Sequence, residues 1–358
     1  MLKKLQTVTL GCSKNKVDTE HILSQVDDLY EIIPEGEDIP VDVLLINTCG
    51  FIGDAKEESV QAVLEGVSRK NAGEVGKVIV FGCLSQRYGD ELPELVPEVD
   101  EWYGARDFDP VVRSLGAEPS DKKAADRYLT TPSHYAYLKI SEGCDRRCSY
   151  CAIPLIRGNC HSYPIEDCVK EAKRLYDLGV RELNVVAQDT TYYGHDIYGK
   201  FMLKELLTKL NEIPFKWIRV LYMYPDEIED ELLVTMSKLE RVLPYFDIPI
   251  QYGNDKILKL MNRRGSVELI KQKVNRIREL FENAVIRTTL IVGFPYETDD
   301  TFNDTLYIYW KEGGAWFAAY FFTDNGGEYW SDLVGPRNDG TYGVVVPNGH
   351  KKVIFTRM

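Results

Sequence analysis

The first 116 residues alternate between short apolar runs and stretches with helical periodicity. Runs rich in β-branched residues occupy 5–10, 41–46 and 77–81. Between them, 18–30 and 55–69 have apolar residues at helical spacing among charged ones. Such alternation is typical of a parallel sheet covered by helices. The pattern therefore predicts an open parallel-sheet domain over residues 1–116.

The same alternation resumes at residue 134 and predicts a second domain over 134–322. Strands are predicted at 135–140, 182–187, 217–223, 246–250, 285–292 and 316–322. Helices are predicted between them at 165–178, 202–212, 227–239, 267–281 and 299–311. Six strand–helix units indicate a partial or complete (β/α) barrel, whose active site lies at the C-terminal ends of the strands. The predicted fold class is α/β in both domains.

Two segments interrupt this pattern. Residues 117–133 contain Pro119, Ser120, a charged stretch and a Thr-Thr-Pro-Ser sequence, which is typical of a linker. Residues 323–358 form an unassigned tail, in which the Asp-Gly pair at 339–340 and the apolar run at 344–346 indicate a hairpin.

Charge and hydropathy narrow the classes of function. The 358 residues include 43 Lys and Arg against 56 Asp and Glu, and residues 1–116 have 11 basic and 22 acidic side chains. An acidic domain favours a basic partner over a phosphate backbone, so direct nucleic-acid binding is not expected. The alternative is a generic solvated surface. The N-terminus does not resemble a signal peptide and no apolar run approaches the roughly 20 residues of a membrane span, so the prediction is a cytoplasmic protein without membrane contact.

Three of the eight cysteines, Cys144, Cys148 and Cys151, have the spacing C-x3-C-x2-C directly after the predicted strand 135–140. We refer to them as the loop trio. Three thiolates in one short loop can hold three irons of a four-iron cluster and leave the fourth iron open to a substrate or cofactor. The alternative is a closed zinc site, for which His161 or Cys160 could supply the fourth ligand.

A second set of cysteines, the strand-end trio, comprises Cys12, Cys49 and Cys83, which follow the three predicted strands of the first domain. Because the carboxyl ends of parallel strands share one edge of a sheet, these residues are expected to converge. A second three-thiolate site is one interpretation. The other is that each cysteine is a small apolar residue in the core. Cys168 occupies a helical position and is expected to pack rather than to bind a metal.

Four motifs resemble those of the radical S-adenosylmethionine (SAM) methylthiotransferases. They are Gly11-Cys12-Ser13-Lys14-Asn15, Asn47-Thr48-Cys49, Gly82-Cys83 and Ser-Glu-Gly-Cys-Asp-Arg-Arg-Cys-Ser-Tyr-Cys at 141–151. The stretch 186–194, which includes Gln188 and Asp189, is similar to the branch that modifies a ribosomal protein, the RimO type. The branch that modifies tRNA, the MiaB type, has a Gln-Asn pair there. The resemblance covers about residues 5–300.

The resemblance implies an enzyme with two [4Fe–4S] clusters and SAM. The loop trio would ligate the cluster that binds and cleaves SAM, giving a 5′-deoxyadenosyl radical that removes hydrogen from the β-carbon of a substrate aspartate. The strand-end trio would hold the second cluster, which delivers sulfur. Gln188, Asp189 and Gly293 would lie at the SAM or substrate pocket. The implied partners are a basic ribosomal protein of the small subunit and an electron donor such as flavodoxin or ferredoxin.

Three tyrosines depart from the family pattern near the predicted active-site edge. Tyr163 replaces arginine, Tyr252 replaces histidine and Tyr296 replaces glycine. A tyrosine in place of glycine needs a backbone conformation and a volume that a tight turn does not readily offer. The sequence also predicts no counterpart of the family's C-terminal TRAM module. Two alternatives stay open: a tRNA adenosine methylthiotransferase, and a catalytically impaired Fe–S-binding relic or redox-responsive protein, which the six cysteines oppose.

Overall fold

The computed structural model describes residues 2–120, 126–298 and 300–301, together with the backbone of Phe317–Phe322, Glu328–Trp330 and Lys352–Arg357. The chain divides into two compact units. Unit 1 comprises Met1–Asp145 and Ala152–Leu183, and unit 2 comprises Arg146–Cys151 and Asn184–Met358. Within the described residues, no helix combines the length and apolar character that a membrane crossing requires.

Unit 1 contains a five-stranded sheet in the order β2-β1-β3-β4-β5, with every neighbouring pair parallel. Its strands are β1 (Lys3–Thr9), β2 (Tyr30–Ile33), β3 (Val41–Thr48), β4 (Val75–Gly82) and β5 (Glu101–Trp102), followed by β6 (Tyr135–Lys139), β7 (Ser141–Glu142) and β8 (His161–Ser162). Its helices are α1 (Ser13–Val26), α2 (Gly53–Asn71), α3 (Cys83–Arg87), α4 (Leu92–Leu95), α5 (Phe108–Ser114), α6 (Ile153–Ile156) and α7 (Ile165–Asp177). The predicted parallel-sheet domain is confirmed.

Side chains of the central strands alternate between two cores, one on each face of this sheet. Leu45 of β3 packs in a cluster that includes Ile22 of α1 and Val111 of α5. The preceding residue, Leu44, packs in a cluster that includes Val63 of α2. Because successive residues of a strand point to opposite faces, a strand covered on both faces is apolar throughout. Each fully buried aliphatic side chain contributes about 1.5–3 kcal/mol to this packing.

The segment that follows α5 is anchored to α1 where the sequence predicts a linker. The side chain of Arg127 is fully buried and forms ion pairs with Glu20 and, at 2.7 Å, with Glu171. The main-chain N–H and the hydroxyl of Thr130 both donate to Glu20 Oε1 at 2.9 Å. A buried carboxylate without a cation would cost several kcal/mol, so Arg127 fixes the path of this segment. The domain boundaries at residues 116 and 134 stay predictions.

Unit 2 contains a second parallel series in the order β9-β10-β11-β12, extended on its far side by β15, β13 and β14. Its strands are β9 (Glu182–Val186, which begins in unit 1), β10 (Trp217–Val220), β11 (Val242–Asp247), β12 (Val285–Ile291), β13 (Phe317–Phe322), β14 (Glu328–Trp330) and β15 (Lys352–Arg357). Its helices are α8 (His195–Tyr198), α9 (Leu203–Leu210), α10 (Asp230–Met236), α11 (Asp255–Leu260) and α12 (Val267–Leu280), with a 3-10 turn at Pro225–Glu227.

The last predicted strand differs from its expected role in a parallel series. The strand at Phe317–Phe322 forms, but it pairs antiparallel with Lys352–Arg357, which also pairs antiparallel with Val285–Ile291. Sequence periodicity indicates a strand without indicating its partner. Here the partner strand, Lys352–Arg357, lies far downstream in the sequence. Apart from 300–301, the predicted helix at 299–311 falls outside the described residues, as does the predicted hairpin at 339–346.

Candidate functional site

The strand-end trio converges at one edge of the unit 1 sheet. Cys12 directly precedes α1, Cys49 follows β3, and Cys83 begins α3. The side-chain oxygen of Asn15, Oδ1, lies 3.9 Å from Cys12 Sγ and 3.7 Å from Cys83 Sγ. Cys49 and Cys83 are only 7% and 6% exposed. The parallel topology therefore brings together three cysteines that are widely separated in sequence, as the sequence predicts.

Gly11 permits the close approach of Cys49 to the chain around Cys12. Its φ of +86° is a conformation that L side chains rarely adopt. A Cβ at this position would lie 2.6 Å from Cys49 Cβ and 2.7 Å from Cys49 Sγ. Any side chain here would displace Cys49, so the close approach of Cys49 to this turn requires glycine before Cys12.

Burial favours the protonated form of two of these thiols, Cys49 and Cys83. Burial raises the pKa of Cys49, and the neighbouring Cys12 raises it further. Burial also raises the pKa of Cys83 to about 11, although the nearby Arg157 guanidinium opposes this effect. Metal binding requires the thiolate and releases the proton, so a metal group would have to displace the protons of Cys49 and Cys83.

Arg157 is a buried cationic contact of Cys83 in the strand-end trio. It is 2% exposed. Its Nε–H donates to Cys83 Sγ at 3.3 Å, and Nη2–H donates to Asn15 Oδ1 at 2.6 Å. Nη1–H donates to Asp18 Oδ2 at 2.8 Å and to Glu142 Oε2 at 3.0 Å. The guanidinium therefore connects a cysteine sulfur to two buried carboxylates.

Lys139 balances the charge of this network. Its Nζ pairs with Asp18 and donates to Glu142 Oε2 at 2.8 Å. Two cations thus face two carboxylates, and removing any one of them would leave a buried charge without a partner. The sequence motifs do not indicate this network. The available signal was a lysine inside the apolar run 135–140, since an unpaired charge is not tolerated in such a position.

The loop trio lies between β7 and α6. Cys144 and Cys148 are buried, whereas Cys151 is partly exposed. The main-chain N–H of Cys151 donates to Cys148 O at 3.0 Å. Gly143, with φ of +74°, precedes the first cysteine, and a Cβ there would lie 2.1 Å from Asn159 O. The backbone at the start of this loop therefore also requires glycine.

Arg146, inside the loop trio's motif, is surrounded by three carboxylates. Its Nε–H donates to Asp189 Oδ2 at 2.8 Å, Nη1–H donates to Asp226, and Nη2 lies 2.6 Å from Glu227 Oε2. The centre of the Tyr224 ring lies 4.2 Å from the guanidinium carbon. One cation does not neutralise three carboxylates. Accordingly, burial and the charge of Asp189 raise the pKa of Glu227 to about 7, although Arg146 opposes the shift.

The three predicted pocket residues have different local partners. Asp189 Oδ1 accepts from Thr191 N–H at 3.1 Å and from the Thr191 hydroxyl at 2.6 Å, while its other oxygen binds Arg146. Asp189 thus orders the loop after β9. Gln188 is half-buried. The N–H of Gly293 lies 3.1 Å from both carboxylate oxygens of Glu297. Contact of these residues with SAM or substrate stays a prediction.

The three unexpected tyrosines occupy distinct environments. Tyr252 is fully buried, and its hydroxyl donates to Glu297 Oε2 at 2.8 Å. The Tyr163 ring lies 6.0 Å from Lys139 Nζ. Tyr296 is 76% exposed at φ of +68°. The exposed side chain therefore has enough space. The left-handed backbone conformation is the remaining conflict, and it costs roughly 1–2 kcal/mol for a non-glycine residue.

The arrangement of donors bears on the kind of metal group that could bind. In the part of the chain that the structure describes, no three His, Cys, Asp or Glu side chains are close enough to share one metal ion. A four-iron cluster binds each thiolate through a different iron, so its ligands are spread more widely.

Comparison with known proteins identifies the family. The Radical SAM superfamily model matches residues 138–306, and the model of Uncharacterized protein family UPF0004 matches residues 4–104. The chain is 45% identical over 354 residues to ribosomal protein uS12 methylthiotransferase RimO of Caldicellulosiruptor saccharolyticus, and the match covers 94% of this chain and 79% of that protein. The chain belongs to the RimO family. The resemblance seen in the motifs is thereby confirmed.

Two further RimO proteins show comparable sequence identity to this chain. The identity to RimO of Aquifex aeolicus is 46% over 304 residues, covering 84% of this chain and 68% of that protein. The identity to RimO of Bacteroides thetaiotaomicron is 42% over 329 residues, and that match covers 91% of this chain and 76% of that protein. Membership of the RimO family makes the chain a transferase of the radical SAM superfamily, which implies a [4Fe–4S] cluster and SAM.

Solved structures support the fold alone. The radical SAM methyltransferase TsrM of Kitasatospora setae, with tryptophan and a SAM analogue bound, aligns with a TM-score of 0.62 at 11% identity and covers 85% of this chain and 70% of TsrM. The cobalamin-dependent SAM radical enzyme OxsB aligns with a TM-score of 0.58 at 12% identity, and the match covers 85% of this chain. This RimO-family chain spans about half the length of OxsB, 51%. The predicted radical-SAM fold is confirmed.

Proposed function

We propose that this chain transfers a methylthio group to the β-carbon of an aspartate in ribosomal protein uS12. The observation on which the proposal depends is the presence of two separate cysteine trios in a chain 45% identical to a uS12 methylthiotransferase. One trio suffices for radical chemistry, and the second provides a place from which sulfur can be delivered.

The loop trio is the proposed site of the SAM-binding cluster. When bound there, a four-iron cluster and SAM supply a 5′-deoxyadenosyl radical, which can remove hydrogen from an unactivated carbon. The chain's own contribution is to shape and shield this loop. Gly143 allows its tight entry, and the pair between Arg146 and Asp189 holds its middle against the loop after β9. Burial of Cys144 and Cys148 limits access of water, which protects a reactive intermediate.

The strand-end trio is the proposed site of the second, sulfur-delivering cluster. Three thiols at the edge of a parallel sheet, a glycine that permits the close approach of Cys49 and a buried guanidinium beside Cys83 all support an anionic sulfur-bound group. Cationic N–H donors stabilise such groups.

The charge of the N-terminal domain supports a basic protein substrate. Residues 1–116 carry twice as many acidic as basic side chains, 22 against 11. An acidic surface attracts a basic ribosomal protein and repels the phosphates of tRNA. Since the proposed substrate is a ribosomal protein, the proposed reaction takes place in the cytoplasm. The proposed electron donor is a one-electron carrier of the flavodoxin or ferredoxin type.

Mass spectrometry of both candidate substrates tests this function. The anaerobically reconstituted chain, incubated with SAM, sulfide, dithionite, uS12 and tRNA, is expected to add a methylthio group to one aspartate of uS12 and to leave tRNA adenosine unmodified. A uS12 variant with that aspartate replaced by alanine is the control and should stay unmodified. Methylthiolated tRNA would establish the tRNA alternative instead. If no 5′-deoxyadenosine formed, the catalytically impaired alternative would stand.

A further inference from the structure

Arg157 and Gly158 contact one cysteine of each trio. The side chain of Arg157 donates from Nε to Cys83 Sγ at 3.3 Å. The carbonyl oxygen of the next residue, Gly158, accepts from the main-chain N–H of Cys144 at 3.1 Å. All four residues belong to unit 1. Two adjacent residues after α6 thus link the strand-end trio to the start of the loop trio.

We propose that Arg157 is a positioning residue that raises the reduction potential of a cluster at the strand-end trio, through its charged N–H···S hydrogen bond to Cys83. This inference rests on the proposed function, because it requires a second cluster at that trio. One-electron reduction, from the 2+ to the 1+ state, adds negative charge to the cluster and its sulfurs. A cationic donor on a ligand sulfur stabilises the reduced state and therefore raises the potential.

The geometry of Arg157 favours a persistent hydrogen bond. Three of its nitrogens are engaged by different partners: Nη1 by Asp18 and Glu142, Nη2 by Asn15, and Nε by the sulfur. A guanidinium held on three sides cannot rotate away from Cys83. In a buried setting with a low effective dielectric, such a fixed donor acts more strongly than it would in water.

The charge balance around Arg157 sets the expected size of the effect. Lys139 and Arg157 face Asp18 and Glu142, so the network as a whole is neutral. The carboxylates bind at Nη1, whereas the sulfur is contacted by Nε. The hydrogen bond from Nε–H to the sulfur therefore affects the reduction potential more than the net charge of the network does. The effect expected is moderate, about a tenfold change in the ratio of reduced to oxidised cluster, which is 59 mV for a one-electron couple.

A redox titration of the strand-end cluster alone tests this inference. The parent is the full chain with Cys144→Ala, Cys148→Ala and Cys151→Ala, which removes the loop trio. Into it we would introduce Arg157→Met together with Asp18→Asn, which removes one cation and one carboxylate and leaves Lys139 paired with Glu142. Titration with dithionite and mediators, followed by electron paramagnetic resonance, should give a midpoint potential more negative than that of the parent. At the parent's midpoint, the ratio of reduced to oxidised cluster should fall about tenfold.

Two further variants separate a redox role from a structural one. Arg127→Met with Glu20→Gln removes an equally buried, ion-paired arginine whose partners are Glu20 and Glu171. Its midpoint should match that of the parent. Arg157→Lys keeps the positive charge but has no Nε–H, and it is expected to lower the midpoint by less than Arg157→Met does.

The outcomes distinguish failure of this inference from failure of the proposed function. Iron-loaded Arg157 variants with the parent's midpoint would overturn the inference and leave the second cluster standing. An equal shift in the Arg127 variant would also overturn it, because the effect would then be a general consequence of altered packing. A parent that bound no iron would refute the second cluster itself, and the inference with it.

Discussion

Replacing Cys49 by alanine is expected to stop methylthio transfer while the chain still converts SAM to 5′-deoxyadenosine. Cys49 belongs to the strand-end trio, and its loss leaves the three cysteines of the loop trio in place. The yield of methylthiolated uS12 should fall by more than about 100-fold. This loss exceeds the 10- to 100-fold fall in activity that is typical when an outer partner of a metal ligand is removed. Chromatography of nucleosides and mass spectrometry of uS12 from the same reaction measure both products.

Two other cysteine variants complete this experiment. Cys148→Ala, in the loop trio, is expected to abolish both products. Cys168→Ala, a buried cysteine of α7 that is 2% exposed, is expected to change neither. If Cys49→Ala behaved like Cys168→Ala, Cys49 would be a packed apolar residue. If it stopped nucleoside formation as Cys148→Ala does, the two trios would not have separate tasks.

Replacing Arg146 by methionine is expected to lower the free energy of unfolding by about 3–5 kcal/mol at pH 8, because it leaves buried carboxylates without their cation. Asp189, Asp226 and Glu227 all pair with Arg146. The loss should be smaller at pH 6, where protonation of a carboxylate relieves the repulsion among them. Urea unfolding of both proteins under anaerobic conditions, at the two pH values, measures the difference.

The pH dependence follows from the raised pKa of Glu227. In the folded chain this pKa is about 7, above the usual 4.5 of an exposed glutamate. Between these values the folded state binds the proton more tightly than the unfolded state, so this group lowers stability as pH rises. The cost is absent below pH 4.5 and complete above pH 7. Loss of Arg146 would raise the pKa of Glu227 further and steepen this dependence.

A surface arginine provides the matched control. Arg276 pairs with Asp230 and Glu279 on the exposed side of α12, and these carboxylates remain hydrated if it is removed. Arg276→Met should therefore cost far less than Arg146→Met, with little change between the two pH values. Similar losses in the two variants would contradict a special role for the buried cluster of charges.

The sequence was sufficient to predict that the cysteines of the strand-end trio converge, but not what surrounds them. Cys12, Cys49 and Cys83 each follow a clear apolar run, and a parallel sheet brings strand ends to one edge. The contacts of Arg157, by contrast, come from four separate segments of the chain. Sequence periodicity detects faces and elements, whereas a buried ion network depends on the three-dimensional packing of those elements.

Element boundaries show the same division between local and distant information. The helix predicted at 18–30 in fact runs from Ser13 to Val26, and the apolar residues after it form the edge strand Tyr30–Ile33. Helical spacing continued by chance into that strand, and only pairing with Lys3–Thr9 distinguishes the two structures. The partner of Phe317–Phe322 likewise could not be predicted from local sequence, because it lies far downstream at Lys352–Arg357.

The most direct test of the account is the iron and acid-labile sulfide content of the anaerobically reconstituted full chain. Two cysteine trios, each holding a four-iron cluster, predict about eight irons and eight sulfides per chain. The variant lacking Cys144, Cys148 and Cys151 should retain about four of each. About four irons in the unmodified chain and none in this variant would contradict the account, since the strand-end trio would then hold no cluster.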